Sequence, residues 1–135
     1  MKRLNAAVLT ILAALAIVPV GAGAANACQP PNCWGAIAWN PNSQAFRVVI
    51  NVFSPEEARG QAMELCRRCR QVQEFRNSCL AVAIAPGTRG GFGVAKAAYA
   101  RDARRRARRT CRRLNPGQRC RVLASDCTLR SYVRN

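Results

Sequence analysis

Cys66-Arg67-Arg68-Cys69 is the tightest cluster of reactive side chains in the sequence. Two thiols at this spacing suit thiol–disulfide exchange or half of a zinc site. Exchange favours a thiol at a helix N-terminus, where the dipole stabilises the thiolate. Here Cys66 closes a helical pattern, where the dipole opposes it, so a structural disulfide is the expected state. Zinc needs further ligands, and the chain has no histidine and no second matching pair. Arginines around the site also oppose a cation. No metal and no cofactor is expected.

The same lack of histidine removes the commonest general base and the Ser–His and Cys–His nucleophile pairs. Six carboxylates remain: Glu56, Glu57, Glu64, Glu74, Asp102 and Asp126. Glu56, Glu57 and Asp102 stand at helix starts, where anions are favoured. A hydrolase would need two carboxylates facing one cleft. Of the three left, Glu64, Glu74 and Asp126, the pair to weigh is Glu64 with Asp126, and nothing in the spacing supports it. Gly87-Thr-Arg-Gly-Gly-Phe-Gly93 resembles a phosphate loop only in its glycines. It lacks the lysine–threonine ending and no helix follows directly, so it reads as a hairpin.

The sharpest chemical feature is a helix dense in arginine. Between Tyr99 and Arg113, helical spacing places Ala100, Ala103, Ala107, Cys111 and Leu114 on one face. Arg101, Arg104, Arg105, Arg108 and Arg112 fall outward, with Arg109 and Arg113 on the flank. Guanidinium forks pair with phosphate or carboxylate in bidentate fashion. The helix therefore reads as a surface for a polyanion: an acidic protein, an anionic lipid or glycan, or extracellular nucleic acid. Arginine serving only as a solubilising residue is the plainer alternative.

These residues must be positioned by a small set of elements, and the set appears twice. Glu57-Ala58-Arg59-Gly60-Gln61-Ala62-Met63-Glu64-Leu65-Cys66 is echoed by Asp102-Ala103-Arg104-Arg105-Arg106-Ala107-Arg108-Arg109-Thr110-Cys111. An acid opens each copy, alanines recur at the same offsets and a cysteine closes each. Trp34 to Trp39 is matched by Leu80 to Ala85, each with apolar residues on both faces, as in buried central strands. Phe46 to Phe53 and Phe92 to Ala98 supply second strands. Val72 to Phe75 and Cys120 to Cys127 supply third strands. Ser54-Pro55-Glu56-Glu57 is the clearest helix start. Serine caps the Glu57 N–H, proline occupies the first helical position, and Glu57 is expected to reach back to the serine N–H. On the following helix Ala58, Ala62, Leu65 and Cys66 share one face.

The reading is α+β: a strand-strand-helix-strand unit repeated, about 33–78 and 79–127, with a loose tail over 128–135. The two copies are expected to share one sheet, with both helices on one face, because neither half is large enough to bury a core alone.

The chain has 135 residues and a net charge of +16. Residues 1–27 read as an export signal. Lys2 and Arg3 form its basic start, Ala6 to Val20 its apolar run, and Ala25-Asn26-Ala27 or Ala22-Gly23-Ala24 its cleavage site. The run is short for a membrane span, and no basic stop-transfer cluster follows. Cys28 directly after the cleavage site raises the question of a lipid anchor. A lipoprotein signal usually carries leucine where this chain has Ala25 and Asn26, so the expectation is a secreted or periplasmic protein. Residues 28–135 are read as a single domain.

Loss of Lys2 and Arg3 with the signal leaves a net charge of +14, and such self-repulsion opposes a compact state. All eight cysteines follow the signal, and an even count in a small exported chain reads as a disulfide framework. Eight cysteines allow 105 pairings. The repeat ranks them: Cys66–Cys69 and Cys111–Cys120 tie each helix end to the next strand. Cys79–Cys127 follows from the remaining matched positions, and Cys28–Cys33 closes the N-terminal loop.

Several stretches together resemble a known family. They are Trp-Gly-Ala-Ile-Ala at Trp34, Glu-Ala-x-x-x-Ala-x-x-x-Cys at Glu57, Asn-x-Cys-x-Ala-x-Ala at Asn77, and the closing Cys-x-Val…Cys from Cys120. Over Trp34 to Cys127 the chain is similar to the bacterial family called domain of unknown function 4189. The resemblance implies a small exported protein with an internal repeat, and it brings no catalytic residues and no cofactor. Cys28, Cys33 and the arginine-rich helix depart from the usual pattern of that family.

The expected function is thus an exported, non-catalytic protein that binds an acidic partner through Arg101, Arg104, Arg105, Arg108, Arg109 and Arg112. The alternatives are a periplasmic inhibitor or immunity-type protein that blocks an enzyme or toxin, and a small envelope hydrolase using a carboxylate.

Overall fold

The computed structural model describes residue 28, residues 32–87 and residues 91–128. Strands β1 (Trp34–Trp39) and β2 (Phe46–Val52) are followed by helix α1 (Pro55–Glu64) and strand β3 (Gln71–Arg76). Strands β4 (Cys79–Ile84) and β5 (Gly93–Ala97), helix α2 (Ala100–Leu114) and strand β6 (Arg121–Cys127) repeat that order. The strands form two three-stranded sheets, β2-β1-β3 and β5-β4-β6, antiparallel throughout.

The single shared sheet expected from the sequence is therefore two sheets. The central strands give the physical reason. On β1, Ala36 and Ala38 pack with Ala58 and Ala62 of α1, whereas Ile37 and Trp39 face the other way. On β4, Cys79, Ala81 and Ala83 pack with Ala103 and Ala107 of α2, and Leu80 and Val82 turn away. Ile37, Trp39, Phe75, Leu80, Val82 and Ala124 then meet in a third core between the sheets. One sheet with both helices on one face would leave the large residues of both central strands in water. Burying a side chain of that size stabilises by about 1.5–3 kcal/mol, so the sheets stack and each keeps its own helix on its outer side. In the middle of the central strands, the alanines face the helices, and Ile37, Trp39, Leu80 and Val82 face the other sheet. An edge contact between Trp39 and Phe92, with centroids 5.1 Å apart, joins the layers.

Two glycines mark close approaches. Gly35 lies beneath its cross-strand partner Phe75, and a Cβ there would come within 2.7 Å of the ring. Gly93 lies under α2, and a Cβ would strike the backbone at Ala107 and Cys111. Backbone cannot swing aside as a side-chain tip can, so Gly93→Ala must lift the helix from β5. Overpacking of this kind costs about 1–3 kcal/mol. We expect the urea midpoint of Gly93→Ala to fall accordingly, while Gly60→Ala, which meets nothing within 4 Å on the exposed side of α1, leaves it unchanged or raises it.

The α1 start is built as the Ser-Pro-Glu-Glu sequence dictates, with one difference. Ser54 Oγ accepts from the Glu57 N–H at 3.1 Å, but the Glu57 carboxylate accepts from the Phe53 N–H at 3.2 Å rather than from that of Ser54. Leu65 and Leu114 were placed on inner faces by periodicity and are more than half exposed. Each lies in or just beyond the last turn, past the region the sheet covers. Below α2, the buried Asn115 closes the helix end, its Nδ2 donating to the carbonyls of Gly91 and Cys111. Thr128, expected to open a loose tail, is buried and exchanges hydrogen bonds with Ser78. Residues 129–135, the rest of that tail, lie outside the described residues, as does the signal expected over 1–27.

Four disulfides are present: Cys28–Cys33, Cys66–Cys69, Cys79–Cys127 and Cys111–Cys120. Cys79 and Cys127 are register partners on β4 and β6, and their bond lies in the core under α2.

Candidate polyanion-binding surface

Helix α2 is a strong helix former from end to end, because alanine and arginine head the propensity ranking. Its inner face is Ala100, Ala103, Ala107 and Cys111, all buried. Alanines let the helix backbone lie close to β4 and β5, and this close seat throws the long side chains outward. Asp102 in the first turn and Arg112 and Arg113 in the last suit the helix dipole.

Eight of the fifteen residues of α2 are arginine. Arg101, Arg105, Arg108, Arg109 and Arg112 are exposed as their spacing indicated, and Arg104 is half-buried. Arg106, which the helical face assignment passed over, is exposed as well. A face of alanines is narrow, so a flanking arginine clears the sheet. That consequence of side-chain size was available in the sequence. One carboxylate answers this charge among the described residues: Asp102 accepts from Arg105 at 2.9 Å. Like charges one turn apart cost about 0.2–0.5 kcal/mol per pair, so the helix carries a standing repulsion that an external anion would relieve.

Helix α1 occupies the equivalent place on the first sheet and shows that the fold does not require this charge. It carries Glu56, Glu57 and Glu64 against Arg59. Arg59 reaches across to Glu74 on β3 at 2.7 Å. Partial burial by itself raises the Glu74 carboxyl, but the Arg59 hydrogen bond, a bond to its own backbone and the charges of Arg59 and Lys96 together hold it below the usual glutamate value. A carboxyl lowered in the folded state stabilises above its unfolded pKa, and that stabilisation is lost as pH falls through the folded value. In Arg59→Gln the burial remains and the main opposing partner is gone. Glu74 should then titrate at higher pH in a carboxyl NMR titration, and its share of stability should disappear earlier on acidification below about pH 5.

The other chemical candidates are dispersed. Cys66 and Cys69 are joined to each other, with no free cysteine among the described residues. Of the glycine loop, residues 88–90 lie outside the described residues, and the flanking β4 and β5 pair antiparallel as a hairpin does. Glu64 is exposed at the end of α1, on the outer side of the first sheet. Asp126 is the register partner of Leu80, whose side chain faces the first sheet from within, and it accepts from the Cys127 N–H at 2.8 Å. The first sheet stands between the two carboxylates, so they share no cleft.

Residues 34–127, from the first residue of β1 to the last of β6, match the family described as Domain of unknown function (DUF4189). Comparison with curated proteins and with solved structures finds no match.

Proposed function

Because the chain belongs to the DUF4189 family, a domain of unknown function, we propose its role from the surface it presents: an exported, non-catalytic protein that holds a polyanionic partner on the outer face of α2. The observation that carries this reading is the contrast between the helices. Both seat alanines on a sheet in the same way, yet α1 bears mixed charge and α2 bears eight arginines against one aspartate. We read the two halves as one strand-strand-helix-strand unit written twice, in which the buried face was kept and the outer face of the second copy took on charge. Four disulfides suit a compartment outside the reducing cytoplasm. No described helix is long and apolar enough to cross a membrane. In that setting the partner is an anionic lipid or glycan, extracellular nucleic acid or an acidic protein.

The test is salt dependence. Binding of the oxidised protein to a fluorescent DNA duplex, used as a generic polyanion, should weaken steeply and linearly on logarithmic axes as salt rises, since each neutralised phosphate releases counterions. A flat salt response, or retention of a single protein from envelope extract through high salt, would replace this reading with the shape-specific inhibitor.

A further inference from the structure

A second set of arginines lies on the opposite half, around the Cys66–Cys69 loop. Arg67, Arg68 and Arg70 line an open groove of about 460 Å³ with Asn40, Ser43 and Cys69. Arg47 of β2 joins Arg67 and Arg68 around an adjoining hollow. No carboxylate lines either space. Among the described residues none of these four arginines has an ion-pair partner.

The frame that holds them is fixed. The disulfide closes a loop with a sequence separation of 3, and inside it the Cys69 N–H donates to the Cys66 carbonyl at 2.9 Å. Asn40 Nδ2 donates to the Arg68 carbonyl at 2.6 Å, and the Arg70 N–H donates to that of Trp39 at 3.2 Å. The Asn40 Oδ1 is occupied by the N–H groups of Asn42 and Ser43. What remains for a ligand is a wall of guanidinium donors and the Ser43 hydroxyl on a backbone that needs no rearrangement. Guanidinium donors of one sign on a fixed backbone, with no carboxylate lining the groove, match the tetrahedral oxygens of phosphate. The corresponding Cys111–Cys120 link spans a separation of 9 rather than 3, so it does not close the same short loop.

We propose that this groove is a separate binding site for a compact phosphate group, a pyrophosphate or phosphate monoester, held by Arg67, Arg68 and Arg70 with Arg47 at its edge. It does not depend on the α2 surface.

The experiment is an amide NMR titration of the oxidised protein with inorganic pyrophosphate in about 0.15 M salt, where weak surface attraction is screened. Shifts should saturate and centre on residues 40–43 and 67–70. Arg67→Gln/Arg68→Gln/Arg70→Gln should weaken binding at least about tenfold, as removal of three charged hydrogen-bond donors requires. These side chains are exposed and their loss relieves repulsion, so the fold is retained. Arg104→Gln/Arg105→Gln/Arg108→Gln/Arg109→Gln should bind pyrophosphate as the parent does, which separates this site from α2. Sedimentation of that α2 variant with phosphatidate vesicles then identifies the source. Capture lost on adding the groove changes means a lipid headgroup, and no capture alongside intact pyrophosphate binding means a free phosphate compound. Non-saturating shifts spread over both arginine sets, or unchanged affinity in the groove variant, would overturn the proposal.

Discussion

Arg104→Gln/Arg105→Gln/Arg108→Gln/Arg109→Gln lowers affinity for a DNA duplex by up to about 10³-fold at 0.1 M salt, and flattens the salt slope by up to about 3–4. Each of the four guanidiniums that neutralises a phosphate releases about 0.9 counterion on binding. Glutamine has a helix propensity close to that of arginine and keeps two of its three methylenes, so the change is chiefly one of charge. The four positions lie on the outer side or flank of α2, Arg104 half-buried and the others exposed. The ion pair lost is the one between Arg105 and Asp102, a surface contact of the kind that contributes about 0–1 kcal/mol. Relief of repulsion along the helix works in the opposite direction. The thermal midpoint should therefore stay within a few degrees of the parent, and fluorescence anisotropy at several salt concentrations reads the binding. Unchanged affinity in a folded variant would mean that the arginines only keep the protein in solution.

The second large effect is on stability. Cys79→Ala/Cys127→Ala should lose about 4 kcal/mol, read as a fall in the guanidinium midpoint without a change of fold. The sequence separation of 48 is the longest of the four, and in the chain-entropy treatment a loop of that length gives about 4 kcal/mol. The same treatment gives about 2 kcal/mol for Cys66–Cys69 and about 2.7 kcal/mol for Cys111–Cys120. Small domains have only about 5–15 kcal/mol to lose, and this one also works against a large net charge. Losing the long tie therefore brings the domain near its threshold, and losing Cys66–Cys69 does not. An equal drop for both would contradict the chain-entropy account here.

Much of the local structure was legible. Ser54-Pro55 marks the first turn of α1, and the paired alanines of both helices mark their buried faces. Reading the sequence as one unit written twice is what ranked the cysteine pairings. The layer arrangement was harder to read. Apolar residues on both faces of β1 and β4 say that these strands are covered twice, and a single sheet within one layer of helices covers them once. The sorting of sizes held the answer: Ala36 and Ala38 alternate with Ile37 and Trp39, and Ala81 and Ala83 with Leu80 and Val82. A helix backbone needs the small residues, and an opposing sheet about 10 Å away needs the large ones. Periodicity also misplaced Leu65 and Leu114, since it carries no information about where the sheet beneath a helix ends. The groove at Arg67, Arg68 and Arg70 was out of reach from sequence. Its walls come from the β1–β2 turn and the α1–β3 loop, and they meet only because the end of β1 pairs with the start of β3, Trp39 opposite Gln71.

The bond between Cys79 and Cys127 also makes the second half a covalent ring with α2 inside it. Trypsin-like proteases cut after arginine, and α2 carries eight arginines in fifteen residues. A cut anywhere from Leu80 to Asp126 opens this ring without releasing a fragment, because both new ends stay attached through the same disulfide. The nicked protein keeps its mass, apart from one added water, and its helix segments remain beside their sheet. Damage of that kind would stay silent in a non-reducing gel and appear only when reductant is added. The ring thus holds a singly nicked domain in one piece, whereas two cuts between Arg101 and Arg109 would free the segment between them.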